Sequence, residues 1–522
     1  MSAPVNDGSG FQRRLGLFDA TMLVAGTMIG SGIFIVSADI VRDTAGCGWL
    51  LLAWVITGVM TILGALCYAE LAAMLPHAGG QYVFLREAYG KLPAFLYGWT
   101  AFTVIQTGTI AAVCVAFAKF LGVLIPALGT RNADVPIASD PTVVAGITFE
   151  NPIVLKLPLP WLSESLTVFK RGEFTISSGQ LIALALIIGL SAWNCLGVRE
   201  GKWLQNVFTV AKIGALILLI IVGLLVVSDS NIIQSNFADP WGGIHKTERF
   251  AATEKLVPAA PSLLAWMVLG GALVGALFSA DAWGNVTFIA GEMKNPRRHL
   301  PWALILGTVL VIGLYLLANF AYLACLPLNG IKEGATPLER GIAHATSDRV
   351  GTAVMELASP RFGAKVMAIA IMISTFGCVN GIILMGPRMY YAMARDGLFF
   401  KGVGELNRHG VPAVGLIIQA IWAGVLVFSG TYSELLDYVI FAALVFYAIT
   451  AAAVIVLRMR QPGLERPYRV FAYPILPLVY IFICVAVMLD LLLVRPVYTW
   501  PGLMLVIAGI PVYGVWRLIR AR

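Results

Sequence analysis

Twelve apolar runs, each near the roughly 20 residues that a helix needs to cross the hydrocarbon of a bilayer, constrain this chain more than any other feature. They lie near residues 15–40, 49–75, 93–126, 177–198, 205–227, 262–290, 300–325, 363–393, 412–429, 434–458, 473–493 and 500–520. Of the 522 residues 12% are charged, where a soluble globular protein carries about 25%. Most of the chain therefore belongs in lipid. Lipid gives backbone polar groups no partner, and a helix satisfies its own. The runs predict an all-α polytopic membrane protein with twelve transmembrane helices.

Basic residues set the orientation. With the N-terminus inside, the inner segments hold most of the Lys and Arg, and the short outer connections carry only Arg42 and Arg495. The remaining outer cations sit almost entirely in long loops at 127–176, 228–261 and 326–362, where the positive-inside rule counts little. Both termini are expected in the cytoplasm, with the protein in the plasma membrane. No cleavable signal is evident, since the tail 1–14 is polar and the first apolar run is long enough to stay in the bilayer. Cationic inner segments explain the net charge of +8 with no nucleic acid partner. Lys119, near the outer end of its span, reads as a snorkelling side chain. The long loops lack a strong helical period, apart from a possible short surface helix in 335–361, and no function follows from them.

Two interruptions break this regularity. Gly26-Thr27-Met28-Ile29-Gly30-Ser31-Gly32-Ile33-Phe34 puts three glycines and a serine into the first span. The sixth holds Leu277-Phe278-Ser279-Ala280-Asp281-Ala282-Trp283-Gly284-Asn285. Glycine frees the backbone, and non-helical backbone at membrane depth is tolerated only where it is buried in protein or lines a cavity. Small residues four apart, as Gly26 and Gly30 are, also serve close helix packing. Two breaks five spans apart favour the first reading, because they are the trace of an inverted repeat that holds substrate at the midplane. Freed amides of a half-helix starting at Ser31 would meet an anion, and freed carbonyls a cation. An α-amino acid presents both charges on neighbouring atoms.

Three side chains near these breaks have competing readings. Asp281 is either a helix cap or a charge near a substrate amino group, since an intramembrane carboxylate is functional by default. Phe278 is either core or a gate over bound substrate. Lys212, about 12 Å into the fifth span at 1.5 Å per residue, either snorkels or occupies the place of a coupling sodium ion and braces the broken first helix. Seven cysteines (Cys47, Cys67, Cys114, Cys195, Cys325, Cys378 and Cys484) show no metal-ligand spacing. They read as packing residues, and only Cys47 and Cys325 lie where a disulfide is conceivable. The five histidines fall in loops or span ends. No metal, cofactor or nucleophile constellation emerges, so an enzyme is not expected.

The chain resembles the amino acid-polyamine-organocation superfamily, within it a prokaryotic relative of the L-type amino acid transporters. The resemblance rests on Gly26 to Phe34, Tyr68-Ala69-Glu70-Leu71, Gly79-Gly80-Gln81-Tyr82, Asn206 to Lys212, Phe278 to Asn285, Gly291 to Arg298, Phe376 to Gly381, Pro387-Arg388 and Ala394 to Gly397. It implies a leucine-transporter-like 5+5 inverted repeat plus two C-terminal helices, with the first and sixth helices unwound at mid-membrane. The first repeat would be 15–227, the second 262–458, and the last two helices would lie in 459–522. The implied activity is sodium-independent permease or exchanger transport of α-amino acids by alternating access.

By the same resemblance the substrate carboxylate meets main-chain amides at Gly30, Ser31 and Gly32, beside Ile29. The amino group meets carbonyls at Met28, Phe278 and Asp281, next to Ser279. Phe278 is the gate, Asn380 lies near the site, and Lys212 replaces a sodium ion. Asp281 stands where L-type proteins usually have a small residue, which leaves cationic substrates or proton coupling open beside neutral ones. The 127–176 loop lacks the cysteine that bonds a heavy chain in eukaryotic L-type subunits, so no disulfide-linked partner is expected. A channel and a non-transporting amino acid sensor are the rival readings. Which of Gln106, Thr107, Asn380, Phe441 or Phe446 point inward is not legible.

Overall fold

The computed structural model describes residues 13–131, 137–157, 166–257, 259–428 and 432–521. Of the tail 1–14 only Arg13 and Arg14 fall within them. Nine helices among the described residues are long and apolar enough to cross a membrane, and three shorter apolar ones accompany them. The first apolar run is divided. α1 (Leu17–Met28) ends at Ile29, whose backbone is extended (φ −74°, ψ 91°). A single 3-10 turn, Gly32–Phe34, follows, and α2 (Val36–Thr44) resumes the helix. Then come α3 (Cys47–Met74), α4 (Lys91–Leu124), α5 (Ser178–Asn194) and α6 (Val198–Val222).

The sixth run is divided too. α7 (Pro261–Ser279) stops before Ala280, and 3-10 turns carry Trp283–Glu292. Ala282 between them adopts a left-handed backbone (φ 65°), which costs a residue with a Cβ about 1 kcal/mol or more. The remaining helices are α8 (Pro296–Cys325), α9 (Gly363–Arg395), α10 (Ala413–Val427), α11 (Tyr432–Arg460), α12 (Ile475–Val494) and α13 (Pro496–Ala521). α1 packs against α6, α8 and α9, and α11 against α4, α7 and α12. Both breaks therefore lie inside the bundle. Leu15 also pairs with Met293 as an isolated bridge, and the amides of Arg14 and Leu15 donate to the Glu292 carbonyl.

The connecting segments depart from the expectation. The chain is not wholly α-helical, since Val143–Leu157 and Leu166–Ser177 form an antiparallel hairpin. Runs such as Leu166-Thr167-Val168-Phe169 suit a strand, and a search for helical period passes over them. Segment 228–261 holds two short helices capped by Asp229 and Thr247 side chains. Segment 335–361 forms two helices in place of one, Pro337–Arg340 and Val350–Ala358. Thr336 caps the first, and the positive φ of Gly341 ends it after one turn.

Lys119 does not simply snorkel. It lies 3.5 Å from Asp348, which Arg42 also binds, so α2, α4 and the 326–362 segment are tied together by charge. Burial pushes the Asp348 carboxyl up, and Lys119 and Arg42 outweigh it, leaving the group below its ordinary 3.8. Asp43 adds a second tie, 2.8 Å from Arg495 and 3.3 Å from Arg249. All seven cysteines, Cys47 and Cys325 included, are free thiols.

Candidate functional site

The first break exposes a run of carbonyls and amides, and the two are treated differently. Helix geometry leaves the last carbonyls of α1 without helical partners, and side chains from three other helices supply them. Lys212 of α6, fully buried, donates from Nζ to the Gly26 carbonyl at 2.6 Å and the Ile29 carbonyl at 3.0 Å. Cys378 Sγ of α9 donates to Thr27 O at 3.0 Å, and Ser374 Oγ to Ile29 O and Gly30 O at 3.1 Å. Tyr322 of α8 donates to Ile33 O at 3.2 Å. Among the described hydrogen bonds, none is donated by the amides of Gly30, Gly32 or Ile33. The break is thus a set of satisfied acceptors and open donors, the polarity that suits an anion.

The second break closes against the first. Tyr315 of α8 places its hydroxyl 2.9 Å from Met28 O and 3.0 Å from Ser279 O, so one side chain spans both interruptions. Thr27 Oγ1, bonded chiefly to Leu23 O, also reaches Ala282 O at 3.4 Å. Gly32 approaches α7 so closely that a Cβ on it would overlap Ser279 Oγ and stand 2.8 Å from Ser279 Cβ. Gly30 is roomier, its nearest neighbour being Cys378 Sγ at 3.4 Å. Close packing is what Gly26 serves, since a Cβ there would overlap Gln205 and Thr209 of α6.

Asp281 does not cap the turns that follow it, for those begin after Ala282 with no side-chain cap. Its carboxylate accepts a hydrogen bond from the Tyr447 hydroxyl of α11. The Phe278 carbonyl accepts from the Asp281 amide at 3.1 Å, and the Phe278 side chain is buried. Ser279 Oγ turns back to Gly275 O at 2.7 Å.

Two cavities flank this region. The first is lined by Gln81, Tyr97, Gln106, Thr109, Asn285 and others, and the second by Met60, Leu277, Trp283, Ile440, Leu444 and others. Both reach Asp281, Ala443 and Tyr447. Met28, Ile29, Gly30, Ser31 and Gly32 line neither. Asn380 lies away from both cavities. Its Oδ1 accepts from Asn194 at 2.9 Å, and its Nδ2 faces Gln205 Oε1 at 3.5 Å, which makes it part of a polar seam behind α1.

Of the residues whose direction was not legible, Gln106 faces the first cavity and donates to Asn285 Oδ1 at 2.7 Å. A π-helical turn, Ala101–Ile105, directly precedes it, and such turns re-aim side chains at functional sites. Thr107 bonds back to Phe102 O. Phe441 and Phe446 are buried but line neither cavity. Tyr315 and Tyr447 were not singled out by sequence. Each is a hydroxyl in an otherwise apolar run, and buried tyrosines usually find a partner.

The family model described as amino acid permease matches residues 15–514. The chain belongs to the amino acid permease family. It is 30% identical over 490 residues to the human b(0,+)-type amino acid transporter 1, covering 94% of this chain and 84% of that protein. The mouse counterpart is 28% identical over the same shares. The mouse large neutral amino acids transporter small subunit 2 is 26% identical over 508 residues, 97% of this chain and 81% of that protein. Among the described residues of this permease no group of three or more His, Cys, Asp or Glu is placed to hold a metal ion.

Proposed function

We propose that this permease is a sodium-independent secondary transporter, permease or exchanger, of α-amino acids, working by alternating access with one central site between its first and sixth transmembrane helices. The observation that carries the reading is the polarity of the first break, where every carbonyl from Gly26 to Gly30 has a donor while the amides of Gly30, Gly32 and Ile33 donate to nothing described. A substrate carboxylate takes those amides when α7 draws back from Gly32. The ammonium takes second lone pairs on the carbonyls of Met28, Phe278 and Asp281. The nearby positions Ile29, Ser31 and Ser279 shape the niche, and Phe278 covers it as a gate.

Lys212 contributes a fixed cation that holds the last turn of α1 by two carbonyls, the task a bound sodium ion would otherwise have. Nine long and three short apolar helices fit a twelve-helix, leucine-transporter-like 5+5 arrangement with unwound first and sixth helices, repeats at 15–227 and 262–458 and two further helices in 459–522. We assign both termini to the cytoplasm and the protein to the plasma membrane, with no disulfide-linked heavy chain.

Neutral substrates are the first reading. A cationic amino acid is the second, favoured by one observation: the Asp281 carboxylate borders both cavities. The test is counterflow in proteoliposomes with each of the twenty amino acids, without sodium. Accumulation of labelled substrate against a preloaded one supports a carrier. Saturable binding without counterflow overturns it in favour of a sensor, and non-saturating current overturns it in favour of a channel.

A further inference from the structure

Tyr447 stands at the place where the two cavities come closest. The first has the more polar lining, with Gln81, Gln106, Thr109 and Asn285 beside Tyr97 and Ile105, whereas the second is bounded mostly by Met60, Leu277, Trp283, Ile440 and Leu444. Asp281, Ala443 and Tyr447 belong to both. Ala443 and Tyr447 lie one helical turn apart on α11, so they present one face. Ala443 adds little volume, and the partition is therefore the tyrosine ring together with the Asp281 carboxylate it bonds.

That ring is held from two sides. Its hydroxyl binds Asp281, and its face stacks on Trp283 with centroids 5.5 Å apart and planes inclined by 29°. Tyr68 meets Trp283 edge-on at 4.8 Å and Tyr447 at 6.1 Å, which buttresses the stack. Stacked aromatic pairs add to the burial of their surfaces, so the partition is a packed wall and not a lone side chain free to turn.

We infer that Tyr447 sets the largest substrate side chain this permease accepts, by closing the apolar cavity between α3, α7, α11 and α12 to the central site. The inference rests on the transporter reading and deepens it. With the wall in place a bound amino acid has only the first, mixed-polarity cavity for its side chain, which suits small and medium neutral substrates. With the wall removed the apolar cavity becomes continuous with the site and receives a large apolar or aromatic side chain. A pocket that gains or loses even one methylene of apolar fit changes discrimination by about tenfold or more.

The experiment is counterflow with alanine, leucine, phenylalanine and tryptophan in the wild type and in Tyr447→Ala, Tyr447→Phe and Ala443→Leu, read as the ratio of tryptophan to alanine rates. Tyr447→Ala is expected to raise that ratio by about tenfold or more. Tyr447→Phe keeps the ring but loses the tie to Asp281, and it should raise the ratio less. Ala443→Leu fills the junction from the other side and should lower it. A ratio is insensitive to how much protein is folded, and if Tyr447→Ala transports nothing the other two variants decide. Unchanged ratios in the variants that transport overturn the inference while leaving the carrier reading intact. A wild type that shows no counterflow with any amino acid overturns the carrier reading itself.

Discussion

Gly32→Ala is the substitution on which the contact between the two breaks can be measured. The added methyl would overlap Ser279 Oγ, stand 2.8 Å from Ser279 Cβ and 3.1 Å from its Cα. Serine has no flexible end to withdraw, and the Cα belongs to the last turn of α7, so the helix itself must shift. Overpacking of this kind costs about 1–3 kcal/mol, equivalent to about 5- to 150-fold in a two-state population. The loss falls on the arrangement in which the breaks touch. Because Gly30 has 3.4 Å to its nearest neighbour, Gly30→Ala should cost far less and serves as the matched control. Ser279→Gly removes both the Oγ and the Cβ, so the pair Gly32→Ala with Ser279→Gly should recover most of the transport lost in the single variant. The assay is initial-rate counterflow alongside the thermal unfolding midpoint of each purified variant, arranged as a double-mutant cycle. Wild-type rates in Gly32→Ala, or losses that simply add in the double variant, would refute the contact as the cause.

Three further perturbations follow from the same geometry. Tyr315→Phe deprives Met28 O and Ser279 O of their shared donor, and an unmet buried acceptor costs about 1–3 kcal/mol; a lowered unfolding midpoint with slowed exchange is expected, and an unchanged protein would mean the bridge is idle. Lys212→Met leaves the Gly26 carbonyl without the donor it has here, so amino acid affinity in a binding titration should fall by about tenfold or more, whereas wild-type affinity would remove the bracing role. Asp348 loses its ties to Arg42 and Lys119 in Asp348→Asn, which should cost about 1 kcal/mol at neutral pH. A carboxyl held below its ordinary range contributes stability that is present above the unfolded value and lost as pH falls through the folded one. The gap between that variant and the wild type should therefore persist at pH 5 and close only below the ordinary 3.8 of an aspartate; a gap independent of pH would exclude the carboxylate as its source.

How far the chain could be read follows from the range of the forces involved. The spans and both interruptions were legible because composition over about 20 residues decides what enters lipid, and because Gly30, Gly32 and Ala282 act on their own backbone. The identity of the partners was not, since each is chosen by packing between helices far apart in sequence. Asn380 is paired with Asn194 and Gln205; nothing local distinguishes an amide facing a cavity from one facing another helix. Tyr315 and Tyr447 show the converse. Each was one hydroxyl in an apolar run, and only the fold brings the first within reach of Met28 O and Ser279 O and the second against Asp281. The strand pair Val143–Leu157 and Leu166–Ser177 was lost for a different reason, because a loop beyond the bilayer is free of the rule that forced helices elsewhere, and reading it needed the two-residue period of a strand. The legible part is therefore the part governed by lipid. Where side chain meets side chain across the bundle, the partner of a hydroxyl such as that of Tyr447 is chosen by the fold, and that choice is recorded in no stretch of sequence shorter than the distance from Asp281 to Tyr447.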